Sequence, residues 1–385
     1  MKKKIYFIVF FLLIDLTFSQ IFLLDLLEKK IIKANKESFE NRIYNQDYKY
    51  TFKKNVNFKS QYYGYIYEIN TNDLGFRDSS NRILDRNKLY SIVIGDSFVE
   101  GVGLDFQNTL VGSLNKKLGE KINQFEFLNA GVASYSSYIY KKKITKILND
   151  NPNLKVKNII VLLDKSDVID DEHYLNKPSK FKNSKGKLIN QRKEDFLKDL
   201  KDLSFWRIYT KQTVSGKIIK LLTDQLENTA SNFKSRLVLA KKLNRKFYKI
   251  NRNQIKSLKS INNRLFIRNW FEKELWEEKG KKNIKFSIEN LKDLNDFLRS
   301  KNINLNVVLY PWSFEVADNQ FKKRYLDFIL PLLEKNRINT ILAYDIFYEG
   351  DIYENIGKFY IYNDIHFNEN GYKILANYIY KNLNL

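Results

Sequence analysis

Apolar residues gather along this chain in five short, largely unbroken runs: Tyr90–Ile94, Phe125–Leu128, Ile159–Leu163, Leu305–Tyr310 and Thr340–Tyr344. Strict alternation with polar residues is absent, so each run predicts a strand buried on both faces, as in a parallel sheet. Between the runs the period changes. In Asn108–Leu118 apolar side chains recur at three- and four-residue steps, which predicts an amphipathic helix. Strands alternating with helices predict an α/β fold, a flavodoxin-like, doubly wound parallel sheet.

One long interval breaks the alternation. From about Asn176 to Ile288 the chain is lysine-rich, and Glu194–Arg207, Ser215–Leu226 and Ser235–Tyr248 carry apolar residues at helical spacing. They predict a helical insertion that caps the sheet's working edge. Trp206, Trp270 and Trp276 are available there as packing anchors or as platforms for sugar rings, packing being the commoner use of a helical tryptophan.

The N-terminus has its own pattern. Lys2-Lys3-Lys4 precede an apolar stretch from Ile5 to Leu24 that is interrupted by Asp15, Ser19 and Gln20. About 20 residues at 1.5 Å each match the hydrocarbon core of a bilayer, so a signal anchor is expected, kept rather than cleaved after Ser19. The expected division is an anchor at 1–28, a polar stalk at 29–70, a first part of the core at 71–175, the insertion at 176–288 and a second part of the core at 289–385. With the N-terminus in the cytoplasm, the folded domain is expected on the extracytoplasmic side.

Composition narrows the chemistry. The 385 residues contain no cysteine, which excludes disulfides, thiolate catalysis and zinc fingers. The formal net charge of +23 comes from 67 basic and 44 acidic residues. Lysine, asparagine and isoleucine are abundant throughout, and no helix-turn-helix, RNP-like or glycine-rich phosphate motif is present, so no nucleic-acid partner is expected.

Only two histidines occur. His173 follows Asp164, Asp167, Asp170, Asp171 and Glu172; without a second imidazole or thiol this reads as a polar loop, and no metal is expected. His366 lies in Asp364-Ile365-His366, and Gly95-Asp96-Ser97 ends the first apolar run. A lone Gly-Asp-Ser is usually a turn. Here it joins a strand to a helix, which places Ser97 at the C-terminal edge of a parallel sheet. A hydroxyl, an imidazole and a carboxylate in the chain order Ser97, Asp364, His366 predict nucleophilic catalysis, with the carboxylate holding the imidazole's tautomer. Val99 stands where the α/β-hydrolase elbow needs glycine, so the chain is not an ordinary lipase-type hydrolase.

Four ordered blocks carry a family resemblance. Ile94-Gly95-Asp96-Ser97, Phe127-Leu128-Asn129-Ala130-Gly131, Leu163-Asp164-Lys165-Ser166-Asp167 and Asp364-Ile365-His366 together resemble the SGNH/GDSL hydrolases. The resemblance implies Ser97 as nucleophile, His366 as base and Asp364 as acid; an Asp-x-x-His spacing would put Asn363 in the acid position instead. It also implies an oxyanion hole from the N–H groups of Ser97 and Gly131. Ser166 occupies the place of the family's asparagine and offers a hydroxyl. Ser134, Ser136 and Ser137 are expected to shape the loop around that hole.

Family members at the cell envelope often act on acetylated carbohydrate. The resemblance therefore implies acetyl transfer from or to such a glycan, with no cofactor, an acylated carbohydrate as substrate and a membrane acyltransferase as a further partner. Water as acceptor makes an esterase; a sugar hydroxyl makes an O-acyltransferase. A degenerate glycan-binding or scaffold module is the alternative. Arg77, in Asn72-Asp73-Leu74-Gly75-Phe76-Arg77, is available for an anionic substrate group or a structural ion pair.

Overall fold

The structure, a computed structural model, describes residues 24–45, 47–62, 65–175, 276–317, 319–361 and 364–383. Helix α1 (Leu24–Glu40) leads into five short strands: β1 (Arg42–Asn45), β2 (Lys49–Phe52), β3 (Asn57–Tyr62), β4 (Tyr65–Thr71) and β5 (Arg77–Asp78). The apolar runs follow as β6 (Leu89–Ile94), β7 (Phe125–Asn129), β8 (Lys155–Leu162), β9 (Asn304–Leu309) and β10 (Asn339–Leu342). Between and after them come α2 (Ser97–Glu100), α3 (Leu110–Leu118), α4 (Ser137–Asp150), α5 (Asp167–Leu175), α6 (Lys281–Arg299), α7 (Ser313–Ala317), α8 (Asn319–Lys335), α9 (Ile352–Phe359) and α10 (Glu369–Asn382).

The main sheet has eight strands in the order β10-β9-β8-β6-β7-β5-β4-β3. The five from the apolar runs are mutually parallel. This α/β fold with a mostly parallel central sheet is the expected class, and burial explains why its strands read so clearly. Tyr90, Ile92, Val93 and Ile94 in β6 are all sealed from water, and each such side chain contributes roughly 1.5–3 kcal/mol of burial. From β6 the chain moves one way to β7 and then back across to β8. Right-handed crossovers in opposite directions place their helices on opposite faces. α3 packs with α10, and α4 packs with α6.

Two strands, β3 and β4, come from the segment before the expected core, and β5 joins them to it. β3 pairs antiparallel with β4, β4 with β5, and β5 with β7 through Arg77 and Asn129. The segment expected as a stalk is thus part of the sheet, because Phe58, Tyr67 and Ile69 turn inward and bury.

The second part of the core also begins earlier than residue 289. On α6, Ile284 and Ile288 share the buried face of Leu291, Leu294 and Leu298. Trp276, just before it, is buried and meets Phe328 edge-on with ring centroids 5.5 Å apart, so it is a packing anchor. Trp206, Trp270 and the three helical segments expected in the insertion lie outside the described residues. So does most of the expected anchor; among the described residues no helix is long and apolar enough to cross a membrane.

Candidate active site

Ser97 is the first residue of α2, immediately beyond β6. Strands β7 and β8 flank β6, and the crevice where connections leave in opposite directions is where open α/β sheets hold their ligands. The turn is tight. A Cβ on Gly95 would lie 2.4 Å from Val99 Cγ2 and 3.2 Å from the Leu162 carbonyl oxygen, so no other residue fits. Asp96 caps the helix by accepting from the Phe98 N–H at 2.9 Å. Gly101, at φ 75°, ends it after a single turn.

The C-terminal block comes to the same place. Ser97 Oγ is 2.8 Å from His366 Nε2, and His366 Nδ1 is 2.6 Å from Asp364 Oδ1. A separation of 2.6 Å needs a proton between the atoms, which puts it on Nδ1 and leaves the Nε2 lone pair facing the serine hydroxyl. Asp364 Oδ1 also accepts from the His366 N–H at 2.9 Å, closing a local turn. Ser313 Oγ donates to the Asp364 carbonyl at 2.7 Å, and the Tyr360–Phe367 bridge flanks the loop. The Phe98 ring lies 4.6 Å from the imidazole, centroid to centroid. Asn363, the other position considered for the acid, lies outside the described residues.

Both ionisable partners are shifted towards their charged forms. Burial lowers the His366 pKa, but the charge and hydrogen bond of Asp364 outweigh it, and the net direction is up. Burial raises Asp364, and the imidazole with its own donors outweighs that, so the carboxyl is held below its ordinary value. His366 is only 6 % exposed, so little water competes for these bonds.

Two expected oxyanion donors are already engaged. The Gly131 N–H donates to Asn129 Oδ1 at 3.1 Å, and a Cβ on Gly131 would sit 2.5 Å from Val99 Cβ. This glycine lets the loop lie against α2. The N–H and the hydroxyl of Ser166 both reach Asp164 Oδ1, at 2.7 and 2.5 Å. Its side chain therefore closes a turn on the carboxylate two residues back. The Ser97 N–H, at the start of α2, belongs to the set that a helix leaves without an intrahelical acceptor. Of the loop serines, Ser134 takes a left-handed φ of 61°, Ser136 precedes α4, and Ser137 Oγ donates to Asp171 at 2.5 Å.

Behind the serine lie three buried carboxylates. Asp96, Asp164 and Asp167 bring ligand-type oxygens within 4.8 Å of one another. All three accept hydrogen bonds, Asp96 from the Phe98 N–H. Asp164 accepts from Ser166, Tyr310 and Trp312, and Asp167 from Tyr140 and the Asp164 N–H. The donors around Asp164 and Asp167 make this a hydrogen-bonded cluster.

Burial, then the charge of Asp164, pushes the Asp96 carboxyl up to about 8. The folded chain thus keeps a proton that the unfolded chain loses near pH 4, and stability falls as pH rises from about 4 to about 8. His366, with a raised pKa, has the same sign: its contribution is present at low pH and is lost as pH rises. Asp96→Asn is expected to flatten the decline of Tm across that window, in thermal melts at a series of pH values. Parallel pH slopes for the two proteins would refute the assignment.

Arg77 is fully buried and donates to the carbonyls of Glu68, Glu100, Gly101 and Leu104. It holds the end of α2. His173 falls within helix α5, where a loop was expected. Sequence patterning passed over two residues that matter here. Glu100, on α2, pairs with Arg42 and accepts from the Ala133 N–H at 2.7 Å. Tyr62, on β3, touches both Asp364 and His366. Glu100 follows Ser97 in the first block, Ile94–Gly103, and Tyr62 stands in no motif.

No protein-family model and no curated protein matches the chain. Among solved structures it is similar to GDSL/SGNH-type hydrolases. TesA shares 9% identity at a TM-score of 0.39, over 77% of this chain and 98% of that one. The acetyl xylan esterase AlAXEase shares 12% identity at 0.38, over 76% and 98%. A GDSL-like lipase from Bacteroides thetaiotaomicron VPI-5482 shares 11% identity at 0.33, over 76% and 86%. Likeness at this level transfers no chemistry, and what Ser97, Asp364 and His366 do is read from their own positions.

Proposed function

We propose that the protein is a serine-dependent ester hydrolase or O-acyltransferase acting on short acyl esters, with Ser97, His366 and Asp364 as its catalytic residues. The supporting observation is the unbroken row from Ser97 Oγ through both imidazole nitrogens to Asp364. His366 Nε2 takes the hydroxyl proton as Ser97 Oγ bonds to the ester carbonyl carbon. The carbonyl oxygen then carries the negative charge, facing the Ser97 N–H. The alcohol leaves with the proton from His366. Water, or a sugar hydroxyl, attacks the acyl-serine by the same route in reverse and restores the free serine.

The substrate in this reading is an acetylated cell-envelope carbohydrate, and the domain is tethered outside the membrane by its N-terminal segment. The four ordered sequence blocks favour the first part; the lysines before an apolar stretch favour the second. A binding or scaffold module is the second reading, favoured by the engagement of Gly131 and Ser166 within the fold.

A fluorophosphonate probe separates the two. Labelling at Ser97, located by peptide mass spectrometry, together with acetate release from an aryl acetate, is the expected result for the enzyme. A folded protein that neither labels nor turns over aryl acetate or an O-acetylated polysaccharide would establish the binding module.

A further inference from the structure

We infer that Tyr62, delivered by the antiparallel extension of the sheet, is a positioning residue for the acid and base of this site. The inference rests on the catalytic reading above. Tyr62 Oη lies 3.0 Å from Asp364 Oδ2 and 2.9 Å from His366 Nδ1, so one hydroxyl touches both members of the pair. One proton arrangement satisfies both of these contacts and the Asp364–His366 bond. The hydroxyl donates to Asp364 Oδ2, while its lone pair and Asp364 Oδ1 share the Nδ1–H.

This does two things. Asp364 Oδ1 already serves the imidazole and the His366 N–H, and without a donor on Oδ2 the carboxylate is free to rotate away from Nδ1. Tyr62 fixes its plane. The tyrosine ring also meets the imidazole edge-on, with centroids 5.4 Å apart at 84°, and Phe98 covers the imidazole at 4.6 Å. The base is held between two aromatic rings and aimed at Ser97.

The path by which Tyr62 arrives is part of the observation. Three hundred residues separate it from the pair it holds. β3 reaches the site only because it pairs with β4 from Asn57–Asn70 to Tyr62–Tyr65. The ring is also seated against Gly103, where a Cβ would lie 3.1 Å from Tyr62 Cδ1. The extension is thereby a component of the site, not an attachment to it.

Tyr62→Phe keeps the ring and removes the hydroxyl. The expected result is a fall in kcat of about 10- to 100-fold with KM unchanged, as for a misaligned base, and a shifted or broadened low-field Nδ1–H resonance of His366. Tyr62→Ala, which also removes the ring, is expected to lose more. Wild-type kcat and an unaltered resonance in Tyr62→Phe would overturn the inference. The resonance is read without turnover. An inactive wild-type protein whose signal still moves in Tyr62→Phe would overturn the catalytic reading and leave the positioning intact.

Discussion

Ser97→Ala is expected to lower kcat for an aryl acetate on the order of 10⁴- to 10⁶-fold, with the fold unchanged. The hydroxyl is half-buried at the head of a one-turn helix, and alanine would break only its 2.8 Å bond to His366 and a long contact of 3.3 Å to Asp96. His366→Ala is expected to cost as much, because the serine proton then has no acceptor at 2.8 Å. The double variant is expected to be no worse than either single one, since groups that act in one step do not add. Asp364→Asn, which disturbs the tautomer but keeps the shape, should cost about 10⁴-fold. Steady-state kinetics with active-site titration checks the set. A Ser97→Ala protein within tenfold of wild type would exclude Ser97 as the nucleophile.

The largest expected effect on stability is at Arg42. Its guanidinium grips Glu100 with two bonds, NH1 to Oε2 at 3.1 Å and NH2 to Oε1 at 2.5 Å, and Glu100 has no exposure at all. Removing one partner of a buried pair leaves an uncompensated charge, which costs about 3–5 kcal/mol. Arg42→Met is therefore expected to lower the urea midpoint by that equivalent at an unchanged m-value. Glu100→Gln added to it should recover much of the loss, because the amide is neutral and its oxygen still accepts from the Ala133 N–H. If Arg42→Met changes stability by under 1 kcal/mol, the pair is dispensable. Activity should fall too, since the contact joins β1 to the nucleophile's own helix and to the loop at Ala133.

Those two sites differ in how far they could be read without coordinates. The five core strands were legible because strands of a parallel sheet are buried on both faces and so appear as continuous apolar runs. Ser97 and His366 were legible because Gly-Asp-Ser and Asp-x-His each follow a recognisable element in the right order. The extension was not. In β3, Asn57 to Tyr62, the inward positions include Phe58 and Ser60, and a buried serine hides the period that would mark a strand. Glu100 and Lys143 are charged residues sealed from water, whose burial depends on distant partners that spacing does not reveal. Gly131 and Ser166 are held for a local reason: Asn129 and Asp164, each two residues earlier, accept their hydrogens in short turns.

The span between Tyr62 and His366 has a consequence for synthesis. A ribosome makes the chain from its N-terminus, so the serine and its helix are synthesised 269 residues before the imidazole. Until then the nascent protein carries the hydroxyl without the imidazole that the proposed reaction needs. In the proposed reaction, activation of the serine therefore waits on the closing of that long loop, and folding is the switch that turns the site on.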